Sequence, residues 1–450
     1  MSETTMREQW SSRTGFILAA IGGAVGLGNI WKFPYIAGSN GGGAFVVVYL
    51  FAVTLVAVPI LVAELMLGRR GSRSPPTAML LNAEREGRSR WWSGVGWLGT
   101  AAGFLILTFY SVIGGWVLDY TFVSVAGGFS GIGPDAAQVR FGNLLSSPWR
   151  LMLSFTVFLG ITGLIVSTGL RNGIERATGI LMPALFVILL VLTVYSALAG
   201  DLVAGLRFMF AVDFSRITPG VMLSAVGHAF FSVGVSMGLM MAYGAYLPQD
   251  IPIPRTAVVI AGADTLVALV AGLVIFPLVF ANGLAPGEGP GLIFVTLPIA
   301  FGNMPAGALF GFLFFLLLAF AAITSSIAII EPAVARVAEY RGINRRTSAA
   351  LVTGSIWILG ISSVLSFNLW AEVKPIAGKT IFDLADYLTA NLMMPVGGML
   401  IAVFAGWFMR RSTLTDELRI SRTWLFASWR FLIRTVVPLA IAGILVTNLF

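Results

Sequence analysis

Apolar residues fall along this chain in long runs separated by short polar stretches. A helix needs about 20 apolar residues to cross roughly 30 Å of hydrocarbon. By that measure eleven runs qualify: 14–36, 43–67, 92–124, 150–168, 176–199, 220–246, 256–281, 306–336, 349–367, 381–409 and 429–449. None alternates with the period of two that a barrel strand requires. The pattern therefore predicts an all-α integral membrane protein with eleven transmembrane helices. The third, eighth and tenth runs are too long to cross upright and must tilt or project. The polar opening is not followed by the apolar core and small-residue cleavage site of a signal peptide.

Composition narrows the function classes. Apolar residues make up 57% of the chain and charged residues 11%, against about 45–50% and 25% in soluble domains. Too few charges are available to cover a soluble surface. There is no Cys and only one His, which excludes disulfides, thiolate metal sites and an imidazole cluster. No nucleophile–base pair is visible either, so an enzyme is not expected. The net charge of +8 raises the question of nucleic acid, but the basic residues sit in short loops between apolar runs, as membrane topology requires. With the N-terminus in the cytoplasm, 21 of the 28 Lys and Arg lie inside and six outside, with Lys32 inside the first span. That asymmetry predicts a plasma (inner) membrane protein whose C-terminus is outside. No nucleic acid and no obligatory protein partner are implied beyond the lipid bilayer.

Two spans are interrupted. The first reads AAIGGAVGLGNIWKFPYIAG and the sixth AVGHAFFSVGVSMGLMMAYGAYLP. Glycine clusters disfavour helix by up to about 1 kcal/mol each. Unwound backbone at membrane depth is tolerated only where it lines a cavity. Close helix packing through Gly22 and Gly26 is the competing explanation. Interruptions five spans apart, heading two five-span blocks, point instead to an inverted-repeat transporter with a midplane site. The same glycines superficially match a nucleotide loop, but no strand precedes them.

Ionisable groups inside the spans are functional candidates by default. Asp264 stands mid-span with no basic neighbour within a turn, so a bound cation is one way to keep it charged. Lys32 and Asp386 have opposite charge and similar depth. Thr324, Ser325 and Ser326 place three hydroxyls in an otherwise apolar span. They suit a hard cation, unless they merely bond back to their own helix. Glu64 and Glu331 read as packing or end-snorkelling charges, and His228 as a packed neutral core residue.

Taken together, the strings GGAVGLGNIWKFPY, NGGGAF, ELMLGRRG, GIER, HAFFSVGVSMG and TSSIAIIEP resemble the neurotransmitter:sodium symporter family. Their order and spacing hold over essentially the whole chain, and eleven spans resemble the bacterial amino-acid members. The resemblance implies repeats of five helices, 14–199 and 200–410, between a cytoplasmic segment 1–13 and a last unit 411–450. It implies a first sodium site at Ala24, Asn29, Ser232 and Asp264, and a second at Gly22, Val25, Ala321, Thr324 and Ser325. Substrate would meet Ala24, Gly26, Leu27, Gly28, Ile106, Tyr110, Phe231, Ser232, Gly234, Met237, Ser326 and Ile329. An outer gate would pair Lys32 with Asp386, and an inner latch Arg7 with Glu339 beside Trp10 and Tyr246. Amine-transporting members carry an acid where this chain has Gly26, so a neutral hydrophobic or aromatic L-amino acid is expected. An acid-bearing osmolyte, taurine- or betaine-like, is the alternative. With Asp264 supplying negative charge, no chloride requirement is expected. Arg is usual in the family where Lys32 stands, and Lys cannot make the bidentate fork to a carboxylate.

Overall fold

The computed structural model describes residues 9–286, 289–420 and 422–449. The elements used below are α1 (Arg13–Ala24), α2 (Gly28–Ser39), α3 (Gly43–Gly71), α4 (Arg90–Val125), α5 (Pro148–Ser167), α6 (Leu170–Ala199), α7 (Pro219–Val233), α8 (Leu239–Gly244), α9 (Ile253–Ala281), α10 (Gly307–Arg341), α11 (Arg345–Leu365), α12 (Ile381–Phe408) and α13 (Thr423–Thr447). No strand is present among the described residues, only an isolated bridge between Ile376 and Lys379.

Nine of these helices are long and apolar enough to cross a membrane, and α1 with α2 forms a tenth crossing bent by 48°. The expected count of eleven requires α7 and α8, both short, to act as one interrupted span. The overlong runs form helices longer than the hydrocarbon is thick: α4 has 36 residues and α10 has 35, about 54 and 52 Å at 1.5 Å per residue.

The lipid-like exterior and the protein-like centre separate cleanly. In its most apolar stretch α10 is 83% buried and α4 78%, whereas α13 is 22% buried and α6 28%. α4 and α10 pack against each other along their length, α1 leans on α10, α2 on α9, and α7 and α8 on α3. The two interrupted pairs are thus held inside a cage of α3, α4, α9 and α10. Irregular backbone at membrane depth is surrounded by protein, which is the condition for tolerating it.

Candidate functional site

The glycines of the first interruption divide between two roles. Gly22 and Gly23 allow close packing: an added Cβ would stand 3.1 Å from the Thr324 Cβ and 2.9 Å from the Ala328 Cβ on α10. Beyond them α1 ends and Val25 turns extended (φ −68°, ψ 107°). At Gly26 a Cβ would meet Ser325 Oγ at 2.4 Å and the Tyr110 hydroxyl at 3.1 Å. A side chain there would have to displace the Ser325 or Tyr110 side chain.

Between α7 and α8, Gly234, Ser236 and Gly238 all adopt positive φ (70°, 71° and 75°). A serine there is strained by about 1–3 kcal/mol. Glu64 of α3 offsets this by accepting the Ser236 backbone N–H at 2.5 Å. Glu64 is fully buried, so it does not snorkel from a helix end as its place in the sequence suggests; it caps the unwound segment.

Asp264 of α9 lies at the centre of the first cluster. Asn29 Nδ2 donates to Asp264 Oδ1 at 2.7 Å and to its carbonyl at 3.0 Å. The Ser232 hydroxyl donates to Asp264 Oδ2 at 2.6 Å, and Asn29 Nδ2 lies 3.0 Å from that hydroxyl. Asn29 Oδ1 in turn accepts the Gly26 N–H at 3.0 Å. Tyr49 hydroxyl sits 3.2 Å from Ser232 Oγ. Sequence reasoning missed Tyr49, one hydroxyl in the otherwise apolar run FVVVYLFAV. These side chains are all buried, and Asp264 is in no ion pair among the described residues. An oxygen-rich, single-carboxylate set suits a hard monovalent cation. No group of three His, Cys, Asp or Glu that could hold a metal occurs among the described residues.

The second cluster is neutral. Ser325 Oγ crosses to the Gly22 and Val25 carbonyls at 3.2 and 3.0 Å. Thr324 Oγ1 bonds within α10, to the Phe320 and Ala321 carbonyls at 2.9 and 3.1 Å. The five residues expected at a second sodium site are therefore brought together at the end of α1. Ser326 departs from the expectation. Its hydroxyl pairs with Thr162 Oγ1 at 2.7 Å on α5, facing away from the interruption.

Between the clusters lies a small cavity of about 20 Å³, lined by Ala24, Gly26, Leu27, Gly28, Ile106, Tyr110, Phe231, Gly234, Met237 and Ile329, with Gly23 and Ser325. Ten of the twelve residues expected around substrate meet there. Ser232 is turned into the Asp264 cluster and Ser326 toward Thr162, so neither lines it. The Leu27 N–H points at the Tyr110 hydroxyl at 3.5 Å. Phe231 and Tyr110 separate this cavity from a wider one of about 200 Å³ that also holds Lys32 and Asp386.

Lys32 and Asp386 share that wider cavity but are not ion-paired. The Lys32 ammonium lies over the Phe231 ring at 4.3 Å, because a straight ammonium stem can stack there. His228 packs against Phe33, Phe45 and Tyr49, and neither ring nitrogen has a partner. That is a core histidine.

On the opposite side, Arg7 lies outside the described residues. Glu339 accepts the Ser74 N–H at 2.9 Å and stands 3.9 Å from Arg336. Trp10 is buried against Phe16, Tyr243 and Tyr246 and donates to the Tyr243 carbonyl at 3.1 Å. Tyr246 donates to Glu331 at 2.8 Å, and Arg345 pairs with Glu331 at 2.5 Å. Glu331 is thus a buried, paired carboxylate linking the turn after α8 to α10 and α11. It does not snorkel.

Residues 7–130 and 138–450 match the model of the sodium:neurotransmitter symporter family. An uncharacterized sodium-dependent transporter of Bacillus subtilis is 38% identical over 96% of both chains. The taurine transporter of Homo sapiens, described as sodium- and chloride-dependent, is 25% identical over 86% of this chain and 68% of its own. The crystal structure of MhsT in complex with L-phenylalanine superposes with a TM-score of 0.91 at 40% identity, covering 98% of this chain and all of that one.

Proposed function

This chain belongs to the sodium:neurotransmitter symporter family, a sodium-dependent symporter of the membrane rather than an enzyme, and from that premise we propose that it imports neutral hydrophobic and aromatic L-amino acids. The reading is carried by Gly26. A side chain there would crowd the Ser325 and Tyr110 side chains, so the stretch between α1 and α2 disfavours an acid that could meet a substrate ammonium. The substrate must bring its own carboxylate, for which the Leu27 N–H and Tyr110 hydroxyl are the donors at hand. The relative bound to L-phenylalanine agrees with an apolar end formed by Ile106, Phe231, Met237 and Ile329. Met237 is unbranched and can move aside for a ring.

Two Na⁺ ions would bind, one at Asp264, Asn29, Ser232 and Ala24, the other at Gly22, Val25, Ala321, Thr324 and Ser325. The substrate carboxylate would complete the first site, so ion and substrate raise each other's affinity reciprocally. Asp264 would supply the negative charge at the first site, and transport would proceed without chloride. The N-terminus would be cytoplasmic, and residues 14–199 and 200–410 would form the two inverted repeats.

Uptake of radiolabelled amino acids into proteoliposomes, with and without a Na⁺ gradient, tests the reading. Leucine, phenylalanine and tryptophan are expected to compete, while lysine fails because its charge would find no buried partner. Best competition by alanine, with the aromatics excluded, would mean that Ile106 and Met237 close the pocket. Best competition by taurine would favour the osmolyte alternative.

A further inference from the structure

Three arginines, Arg411 just after α12 and Arg430 and Arg434 in the first half of α13, converge where no function has yet been assigned. Arg411, Arg430 and Arg434 line one cavity of about 400 Å³ together with Trp407, Phe426 and Phe431. Arg430 and Arg434 lie four residues apart and share a face of α13. The Arg434 guanidinium stacks over the Trp407 ring at 4.0 Å, and Arg411 lies 5.8 Å from the Phe426 ring centre. Trp407 is tied in place by donating to the Arg434 carbonyl at 3.3 Å.

None of the three arginines forms an ion pair among the described residues, whereas the neighbouring Arg410 and Arg69 are paired with Glu86 and Glu417. The buried Nε atoms of Arg430 and Arg434 have no acceptor in the protein. Three like charges gathered around one cavity, two of them half-buried with an unused Nε–H donor, call for an anion.

The cavity faces outward from the bundle. Trp407 and Phe431 are 56% and 59% exposed, and α13 is the least buried of the long helices. Arg411 belongs to the polar stretch 410–422 between two apolar runs, and Arg430 and Arg434 lie in the first half of α13, which sets the cluster toward the membrane interface on that side. Aromatic rings and arginines at that depth are the chemistry that meets lipid headgroups.

We propose that Arg411, Arg430 and Arg434 form a binding site for the phosphodiester headgroup of an anionic glycerophospholipid, with Trp407 and Phe431 against its glycerol and upper acyl carbons. The planar forks suit phosphate oxygens, and stacking on Trp407 fixes one fork while leaving its N–H groups free. Assignment to the inner leaflet rests on the orientation proposed above. The site itself does not.

The test uses the purified full-length transporter, stripped of lipid in detergent. Phosphatidylglycerol, phosphatidylcholine and inorganic phosphate are titrated separately while the melting temperature is followed, with bound lipid counted by native mass spectrometry. Phosphatidylglycerol is expected to raise the melting temperature saturably, and phosphatidylcholine and phosphate to leave it unmoved. Each arginine near a headgroup is worth about fivefold in affinity. Arg411→Gln is therefore expected to raise the half-saturating phosphatidylglycerol about fivefold, and Arg430→Gln with Arg434→Gln about 30-fold. Arg207→Gln, on the far side of the bilayer, is expected to change nothing. Equal effects of the two lipids, an equal effect of inorganic phosphate, or unchanged titration of the Arg411→Gln protein would each overturn the proposal. If the double variant does not fold, the wild-type lipid selectivity and the Arg411→Gln titration decide the question without it.

Discussion

Two oxygen-lined clusters flank the interruption of the first span, one built around a buried carboxylate and the other around neutral hydroxyls and carbonyls. Asp264 gathers donors from α2 and α7, so three elements are tied to one charge. Ser325 only reaches across to two carbonyls of α1 and its extension, and Thr324 stays within its own helix. An ionised Asp264 gives the first cluster a net charge that cannot be left dry without cost. The second can satisfy its own hydrogen bonds and needs only a small rearrangement to release or accept an ion. Gly26 joins them, since its N–H bonds Asn29 Oδ1 while a Cβ on it would meet Ser325.

Removing the charge is expected to have the largest effect. Asp264→Asn loses hydrogen bonds to a charged group worth about 1.5–3 kcal/mol each, so the half-saturating Na⁺ for substrate binding rises about 100-fold or more. Added chloride is expected to restore part of this, while the wild-type protein is indifferent to chloride. Full chloride-free activity in the variant would remove the carboxylate from the ion site.

Gly26→Ala comes next. Overpacking of about 1–3 kcal/mol falls on Ser325 and Tyr110 together, and both Na⁺ and substrate affinity are expected to drop about 10-fold or more. A loss of substrate affinity alone would uncouple the two clusters. Thr324→Val keeps the shape but removes one neutral oxygen, a difference of about 0.5–1.5 kcal/mol. The Na⁺ titration is expected to shift about 3–10-fold, well short of the Asp264 variant. An unchanged curve would leave Thr324 as a hydroxyl that only bonds its own helix.

The smallest effect lies above both clusters. Lys32→Arg replaces an ammonium that stacks on Phe231 with a fork able to reach Asp386. Exposed pairs contribute about 0.2–1 kcal/mol, so substrate release measured by washout is expected to slow only a few-fold, with Na⁺ affinity untouched.

Much of this was readable in the chain before any coordinates. Long apolar runs force helices because lipid offers no partner for backbone polar groups. Glycine clusters marked where two of them break, and a carboxylate alone in an apolar run had to be either functional or neutral. Twenty-one basic residues on one side predicted the orientation proposed here. Family resemblance then implied which residues would hold which ion.

What the linear order could not hold was the direction in which each side chain points. Ser325 and Ser326 are adjacent and chemically identical, yet a step of about 100° around α10 sends one to α1 and the other to Thr162 on α5. Ser232 lies next to Phe231, but only the ring faces the cavity, while the hydroxyl turns to Asp264. Glu64 reads as a helix-end charge until the packing of α3 on α7 and α8 sets it beneath the Ser236 N–H. Lys32 and Asp386 have the right charges and depth to pair, but a ring within reach captured the ammonium first. Apolar pattern and glycine position are one-dimensional, set by the solvent each residue must live in, so the sequence alone determined the spans, their breaks and the residues that cannot be idle. Which of two neighbouring hydroxyls faces the break in the first span, and which carboxylate caps a strained backbone, depends on contacts between residues far apart in the chain, and only the tertiary structure decided those.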